Sequence, residues 1–448
     1  MVQVVDQPAG AYDVAVLGGG FAGMAASRTL SRAGHSVLIV EARDRLAGRM
    51  WTVPDYWEGH QAELGGAFIL DPESYPLTWK EVNDAGLPLA WGSPQPTDLI
   101  WITKGERRVG ALPVPFDELP SLERLVLHVN GLAARIDPNR PIEEQDVAEL
   151  DVPWPRLLES LKLEPHTIDL WREHVAGVSG DPWEVPSALP LLHSVARAGS
   201  LMAALFVSAP VQTPMARTLG PQLARGTVSL LEAMAGGSSA DVLLETVVTS
   251  VRDSGDRVNV ATSRGDINVR GVVCALPIGV LPSVTFEPSL SDDLRPLAEQ
   301  GVTGRGAKVT AFVSHCPRPF LARGFTSADG FSHASTTWHE DDRAAVVAFT
   351  AGPGPLDVSD MAAVQRELRE YSPGIVVESV ATHDWHGDPF SRGTWSYLRP
   401  GQTTVRAAAR QRRGRIVFAG SDFDRRQGLE GALWTAQLAS EEMRAVLA

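Results

Sequence analysis

Val14-Ala15-Val16-Leu17-Gly18-Gly19-Gly20-Phe21-Ala22-Gly23 is the stretch that decides the fold. Four apolar residues read as a short buried strand, and the glycines after them fit G-x-G-x-x-G. A helical stretch follows over 24–33, with Ala25, Leu30 and Ala33 available for packing and Gly34 closing it. Ser36 to Val40 is a second strand, ended by Glu41. Each part of this order has a physical use. Gly18 permits the tight turn, Gly20 lets the backbone approach a pyrophosphate, and Gly23 lets helix and strand pack closely. The helix N-terminus offers free N–H groups and partial positive charge to phosphates, with Phe21 and Ala22 in the loop before it as further cofactor-binding candidates. Glu41, about 20 residues on, can accept hydrogen bonds from ribose hydroxyls. The spacing points to a bound dinucleotide; a glycine turn in another kind of α/β protein is the competing reading.

Beyond the second strand run Glu41-Ala42-Arg43-Asp44-Arg45-Leu46-Ala47-Gly48-Arg49. Arg49 could serve a pyrophosphate as a bidentate donor, or be a solvated loop charge. The whole chain has 448 residues, 44% hydrophobic and 21% charged, with mean hydropathy −0.05. That describes an ordinary globular protein of about two to three domains. Forty Lys+Arg against 54 Asp+Glu give a net charge of −14, which disfavours nucleic acid and anionic membrane surfaces as partners. Cys274 and Cys316 cannot build a disulfide framework or a thiolate zinc site, and no His spacing suggests a metal. No apolar run reaches about 18 residues, so no membrane span is expected. The N-terminus lacks a basic n-region, and the cytoplasm is the default location.

The segment from Gly18 to Arg49 resembles the flavin-containing amine oxidase family, whose pattern is GxGxxG, a strand-ending Glu-Ala, then Arg-x-x-x-Gly-Gly-Arg. Gly48 and Arg49 are kept, while Ala47 replaces the first glycine of the pair. Glu63-Leu64-Gly65-Gly66-Ala67-Phe68 resembles a segment whose small residues lie against the isoalloxazine. Arg225-Gly226-Thr227 and Leu243 to Val248 resemble later family segments, with Val248 at the position whose backbone reads adenine. Ile416-Val417-Phe418-Ala419-Gly420-Ser421-Asp422 resembles the Phe-Ala-Gly-Thr-Glu strand. Glu430-Gly431-Ala432 would begin the last helix and aim N–H groups at the flavin O2. The motifs span the whole chain.

The resemblance implies an α/β fold: a discontinuous, GR2-like Rossmann-type FAD-binding domain over 1–75, 218–291 and 386–448. A mixed α+β substrate domain would occupy 76–217 and 292–385. Its first insertion reads as mostly helical, with Leu122, Leu125, Val126 and Val129 at helical spacing. The second reads as strands at Lys308–Val313 and 344–349, then a helix capped by Ser359 with Met361, Val364 and Leu368 on one face.

Lys308, in Gly306-Ala307-Lys308-Val309, by position alone reads as a strand-end lysine facing solvent. The resemblance makes it the lysine that holds a water beside flavin N5 and favours reaction with oxygen. Trp395, in the segment Trp385 to Trp395, falls at one wall of the family's aromatic cage; a core tryptophan is the other reading. Thr394 stands where members with covalent flavin have Cys, so the FAD should be non-covalent. The second cage wall, an aromatic two residues before the glutamate of Glu-Gly-Ala, is Gly428 here, followed by Leu429. Bacterial nicotine-type amine oxidases resemble this arrangement most, which places simple polyamines lower among substrates. Arg425 or Arg426 could clamp a substrate carboxylate, although exposed loop charges are the favoured reading.

These readings converge on an FAD-dependent oxidase that takes a hydride equivalent from a carbon next to nitrogen and yields an imine. Oxygen or another acceptor would reoxidise the flavin. A C–C desaturase of the porphyrinogen-oxidase type and a flavin-binding protein without turnover remain as alternatives. A homodimer stays open.

Overall fold

The computed structural model describes residues 2–8, 10–69, 72, 75–90, 96–206, 222–352, 354, 356–403, 405–424, 426 and 428–448. A six-stranded parallel sheet runs in the order Gln3–Val4, Asp241–Leu243, Val37–Val40, Val14–Leu17, Gly271–Cys274, Ile416–Phe418. Strands buried on both faces should be apolar throughout, and Val14–Leu17, Val37–Val40, Gly271–Cys274 and Ile416–Phe418 are buried at every position. The helices Phe21–Arg32, Val228–Gly236 and Gly428–Leu447 share one core on one side of this sheet. A four-stranded sheet, in the order Gly265–Val269, Val258–Thr262, Val248–Asp253, Thr285–Glu287, contributes to a second core on the other.

The second large sheet has seven strands: Val376–Thr382, Lys308–Ser314, Arg343–Thr350, Phe331–Glu340, Phe320–Arg323, Asp98–Thr103, Glu106–Val109. Helix Pro165–Ser179 packs against its middle strands and Met361–Tyr371 against Val376–Thr382. The chain is therefore α/β as the sequence indicates. No helix among the described residues is long and apolar enough to cross a membrane.

Several local expectations need correction. The first helix starts at Phe21, so the glycine loop itself forms its first turn. Leu243 to Val248 is not one strand: Asp241–Leu243 ends, Glu245 turns with φ +51°, and Val248–Asp253 begins in the other sheet. The last helix begins at Gly428, two residues before Glu430. Asp360, not Ser359, caps Met361–Tyr371, accepting from the Ala362 N–H; Ser359 instead bonds the Asp357 carboxylate. Val364 and Leu368 are buried, but Met361 is 46% exposed. The first insertion is helical as read, yet it also contains the hairpin Asp98–Thr103 and Glu106–Val109 that completes the seven-stranded sheet. The 217/218 domain boundary lies outside the described residues.

The C-terminal segment is tied in by one carboxylate. Asp422 is buried and accepts hydrogen bonds from Arg49 (2.7 Å), Ser396 Oγ (2.7 Å) and the Ile278 N–H (3.0 Å). Burial acts to raise its pKa, but Arg49 and the other donors outweigh it, and the carboxyl titrates below its ordinary 3.8. Such a group stabilises the fold above the unfolded-state pKa and loses that contribution as pH falls through the lowered value. Asp422→Asn, which leaves the Arg49 cation without its charge partner, is expected to cost about 3 kcal/mol at pH 7. Denaturant unfolding should show the gap to wild type closing as pH drops below about 4, the ordinary Asp range; a pH-independent gap would contradict this assignment.

Candidate active site

Between the six-stranded sheet, the following glycine segments and the seven-stranded sheet lies a cavity of about 560 Å³. One end is framed by Gly18, Gly20, Phe21, Ala22, Glu41, Ala42, Arg43, Gly48 and Val248. Close approach builds this end: a Cβ on Gly23 would fall inside the Gly18 carbonyl, whereas one on Gly20 meets no protein atom nearer than 3.9 Å. Gly23 thus lets helix touch strand, and Gly20 leaves open space toward the cavity. No side chain caps the helix Phe21–Arg32, so its first N–H groups remain for an anion. Glu41 ends the second strand, accepting from the Gly19 N–H (2.7 Å) and the Arg43 N–H (2.9 Å). Arg43 in turn pairs with Asp388 at 2.8 Å.

The opposite end is built by the seven-stranded sheet. Lys308 begins its strand directly across from Phe349, and both line the cavity. Strand alternation makes the lysine face inward among apolar neighbours. It is buried, not solvent-facing, and donates to the Gly65 carbonyl at 2.8 Å, 5.9 Å from the Phe68 ring. Burial pulls its pKa from 10.5 down to about 8, with Glu63 opposing the shift. Glu63 lies just behind, buried, accepting from Thr52 Oγ1 and from the Thr227 N–H and hydroxyl. Gly65, Gly66, Ala67 and Phe68 form the adjoining wall. Trp395 lies 5.8 Å from Phe349, tilted 53°; the missing side chains of Gly180 and Gly306 make room for its indole, and that of Gly304 for its backbone.

Arg49, Gly420, Ser421, Gly428, Leu429 and Ala432 also line the cavity. Arg49 is held by Asp422, Ser421 and the Thr394 carbonyl rather than standing free. Four residues expected to bind the cofactor, Gly23, Asp422, Glu430 and Gly431, are not on the cavity wall; Asp422 and Glu430 instead hydrogen-bond to other protein groups. Glu430 shows why. Its buried carboxylate accepts from the Leu77 and Thr78 N–H groups and the Thr78 hydroxyl, capping helix Pro76–Asp84. Arg426 pairs with Asp424 and stacks on Trp434, away from the cavity, and Arg425 lies outside the described residues. Tyr75, Phe349 and Trp385 were missed as wall residues. The strand register opposite Lys308 could have found Phe349; nothing local marks Tyr75.

Among the described residues, no group of three or more His, Cys, Asp or Glu side chains could hold a metal ion. The donor set fits a large anionic cofactor instead. It pairs an uncapped helix start and an open glycine with a carboxylate at the end of the next strand. Thr394 adds a buried hydroxyl on the cavity wall that has no protein partner.

Comparison with known proteins agrees. The profile of the flavin containing amine oxidoreductases matches residues 21–444. The chain belongs to this family. Pseudooxynicotine dehydrogenase of a Pseudomonas species is 32% identical over 428 residues, covering 92% of this chain and 82% of the relative. (S)-6-Hydroxynicotine oxidase of Paenarthrobacter nicotinovorans is 30% identical, covering 96% and 98%. Putrescine oxidase solved with putrescine superposes with a TM-score of 0.82 at 23% identity, covering 98% of this chain and all of that one, a likeness of fold. This family member is an FAD-dependent amine oxidoreductase.

The Lys308 shift gives a test. Below about pH 8 the amine is protonated in folded and unfolded chains alike; between about 8 and 10.5 only the unfolded chain holds the proton, so this group adds stability as pH rises. The unfolding free energy of wild type minus that of Lys308→Met should be flat below pH 8 and climb from pH 8 to 10. A difference that stays flat to pH 10 would overturn the burial assigned to Lys308.

Proposed function

We propose that the chain oxidises a hydrophobic amine bearing a single positive charge and a ring, at the carbon next to nitrogen. One observation carries the reading. Glu41 is the sole carboxylate among the described residues of the cavity wall, and it stands at the nucleotide end, whereas Lys308, Trp395, Phe349, Phe68 and Leu429 surround the other. A diamine's second ammonium would find no partner there, and its desolvation would go uncompensated. An apolar or aromatic remainder is buried favourably instead. The relatives named for pseudooxynicotine and 6-hydroxynicotine point toward the same class.

Bound FAD would supply the acceptor for the hydride equivalent whose loss leaves an imine, and oxygen is the acceptor we favour for its reoxidation. We assign the binding of the dinucleotide to Gly18, Gly20, Phe21, Ala22, Glu41, Ala42, Arg43, Gly48, Arg49 and Val248. The flavin end falls to Gly65, Gly66, Ala67, Phe68, Gly420, Ser421 and Ala432. Trp395 is the flat wall that aligns the amine, and Leu429 and Gly428 complete the pocket. Alignment and exclusion of water do most of the work, since no histidine or acid lines that end. Lys308, held on the Gly65 carbonyl, keeps a polar donor beside the reacting atoms. With Thr394 at the attachment position, the flavin is held without a covalent bond. We further propose the two-domain division stated above, a cytoplasmic setting and no nucleic-acid partner.

Anaerobic titration with an amine panel tests the reading. Ring-bearing monoamines should bleach the flavin band, and putrescine should do so at least 10-fold more slowly. Equal rates with putrescine, or no bleaching by any amine, would sink it. Acid precipitation should release all the FAD into the supernatant. Lys308→Met is expected to slow reoxidation by oxygen on the order of 100-fold, the usual loss for a pre-positioned polar group, measured by stopped flow after photoreduction.

A further inference from the structure

We infer that Tyr75 contacts the substrate and sets its specificity, its phenol ring serving as an aromatic wall in the space that Gly428 leaves empty. The inference rests on the amine-oxidation reading above and identifies what recognises the ring.

Three observations support it. Tyr75 and Gly428 line the same cavity as Trp395, Lys308 and Phe349. Gly428 has φ +50°, and a Cβ built on it would sit 3.0 Å from Tyr75 Oη and 3.9 Å from Cζ. That separation is tighter than relaxed van der Waals contact, so a side chain at 428 and the phenol compete for one volume. The glycine leaves that volume to the phenol.

Tyr75 is also held in place. It precedes Pro76, which restricts its backbone, and its carbonyl accepts the Trp79 N–H at 3.0 Å. The first turn of helix Pro76–Asp84 is clamped by the Glu430 carboxylate, at 3.1 Å from the Leu77 N–H and 3.0 Å from the Thr78 N–H. Glu430 lies two residues beyond Gly428. One buried clamp thus sets the distance between the phenol and the glycine, and a ring positioned this way loses little entropy on meeting a substrate. Aromatic walls prefer flat, apolar partners, so the residue would favour amines with an aryl or heteroaryl group over short aliphatic ones.

The test compares wild type, Tyr75→Ala, Gly428→Ala and the exchange Tyr75→Ala with Gly428→Tyr. Each holoenzyme is titrated anaerobically with an aryl-alkylamine and with a short aliphatic monoamine. Tyr75→Ala should keep its FAD and raise the half-saturating aryl-alkylamine concentration at least 10-fold, with the aliphatic amine changed less than 3-fold. Gly428→Ala, which retains the phenol but pushes it aside, should move the same ratio in the same direction. The exchange should restore at least half of the lost preference. An unchanged preference ratio in both single variants would overturn the assignment, as would equal losses for both amines. Should wild type hold FAD that no amine reduces, the amine-oxidation reading fails instead. Tyr75 is then judged by the aryl-amine-induced shift of the oxidised flavin band: unaltered half-saturation in both single variants overturns it, and at least a 10-fold weakening in Tyr75→Ala supports it.

Discussion

Distant segments of the cofactor domain are joined by buried carboxylates, Asp422 first among them. Asp422 binds residues 49, 278 and 396 at once, segments separated by more than one hundred residues each. A cofactor domain assembled from distant pieces of chain must bring those pieces together with contacts that no local propensity supplies. A buried, fully hydrogen-bonded charge does this with directional exactness, since each partner left alone would be a desolvated orphan. Arg49 is part of the arrangement, which is why it lines the cavity without being free to swing into it.

Local order governs what could be read from sequence. The strand, glycine loop, helix, strand and acid from Val14 to Glu41 lie within one short stretch, and their spacing specifies a nucleotide end. Lys308 and Trp395 were legible only through the family register, because an isolated lysine or tryptophan carries no direction. The hairpin from Asp98 to Val109 could not be read, since its place depends on pairing with Phe320–Arg323, more than two hundred residues away. The target of Glu430 was hidden for the same reason. Sequence position suggested the cofactor, while the actual partners are N–H groups at Leu77 and Thr78. Ser359 and Asp360 differ only by one position, and either side chain can cap a helix; the geometry of the turn decides for Asp360.

Behind the reacting end is a second layer that the sequence did not announce. His333 stacks on Phe349 at 4.5 Å, and burial first, then Arg323, push its pKa down to about 3. Glu173, also fully enclosed, is pushed up to about 8 by burial. At neutral pH the His333 imidazole is therefore uncharged and the Glu173 carboxyl is biased toward its neutral form, which leaves Lys308 and Arg323 as the cations near Phe349. Cations placed there, with no carboxylate at that end, favour loss of the substrate ammonium's proton on entry, which frees the lone pair.

The order of strands in the six-stranded sheet has a consequence during synthesis. Val14–Leu17 pairs with Gly271–Cys274, which pairs with Ile416–Phe418, and the covering helix Gly428–Leu447 comes last. At about 5–20 residues per second, Val37–Val40 reaches one edge of Val14–Leu17 within seconds, while the other edge waits tens of seconds for Gly271–Cys274. Until Gly271–Cys274 emerges, that edge has no native partner, although helix Phe21–Arg32 can already cover one face. An unpaired parallel edge of this kind is an aggregation hazard during synthesis that the completed sheet removes.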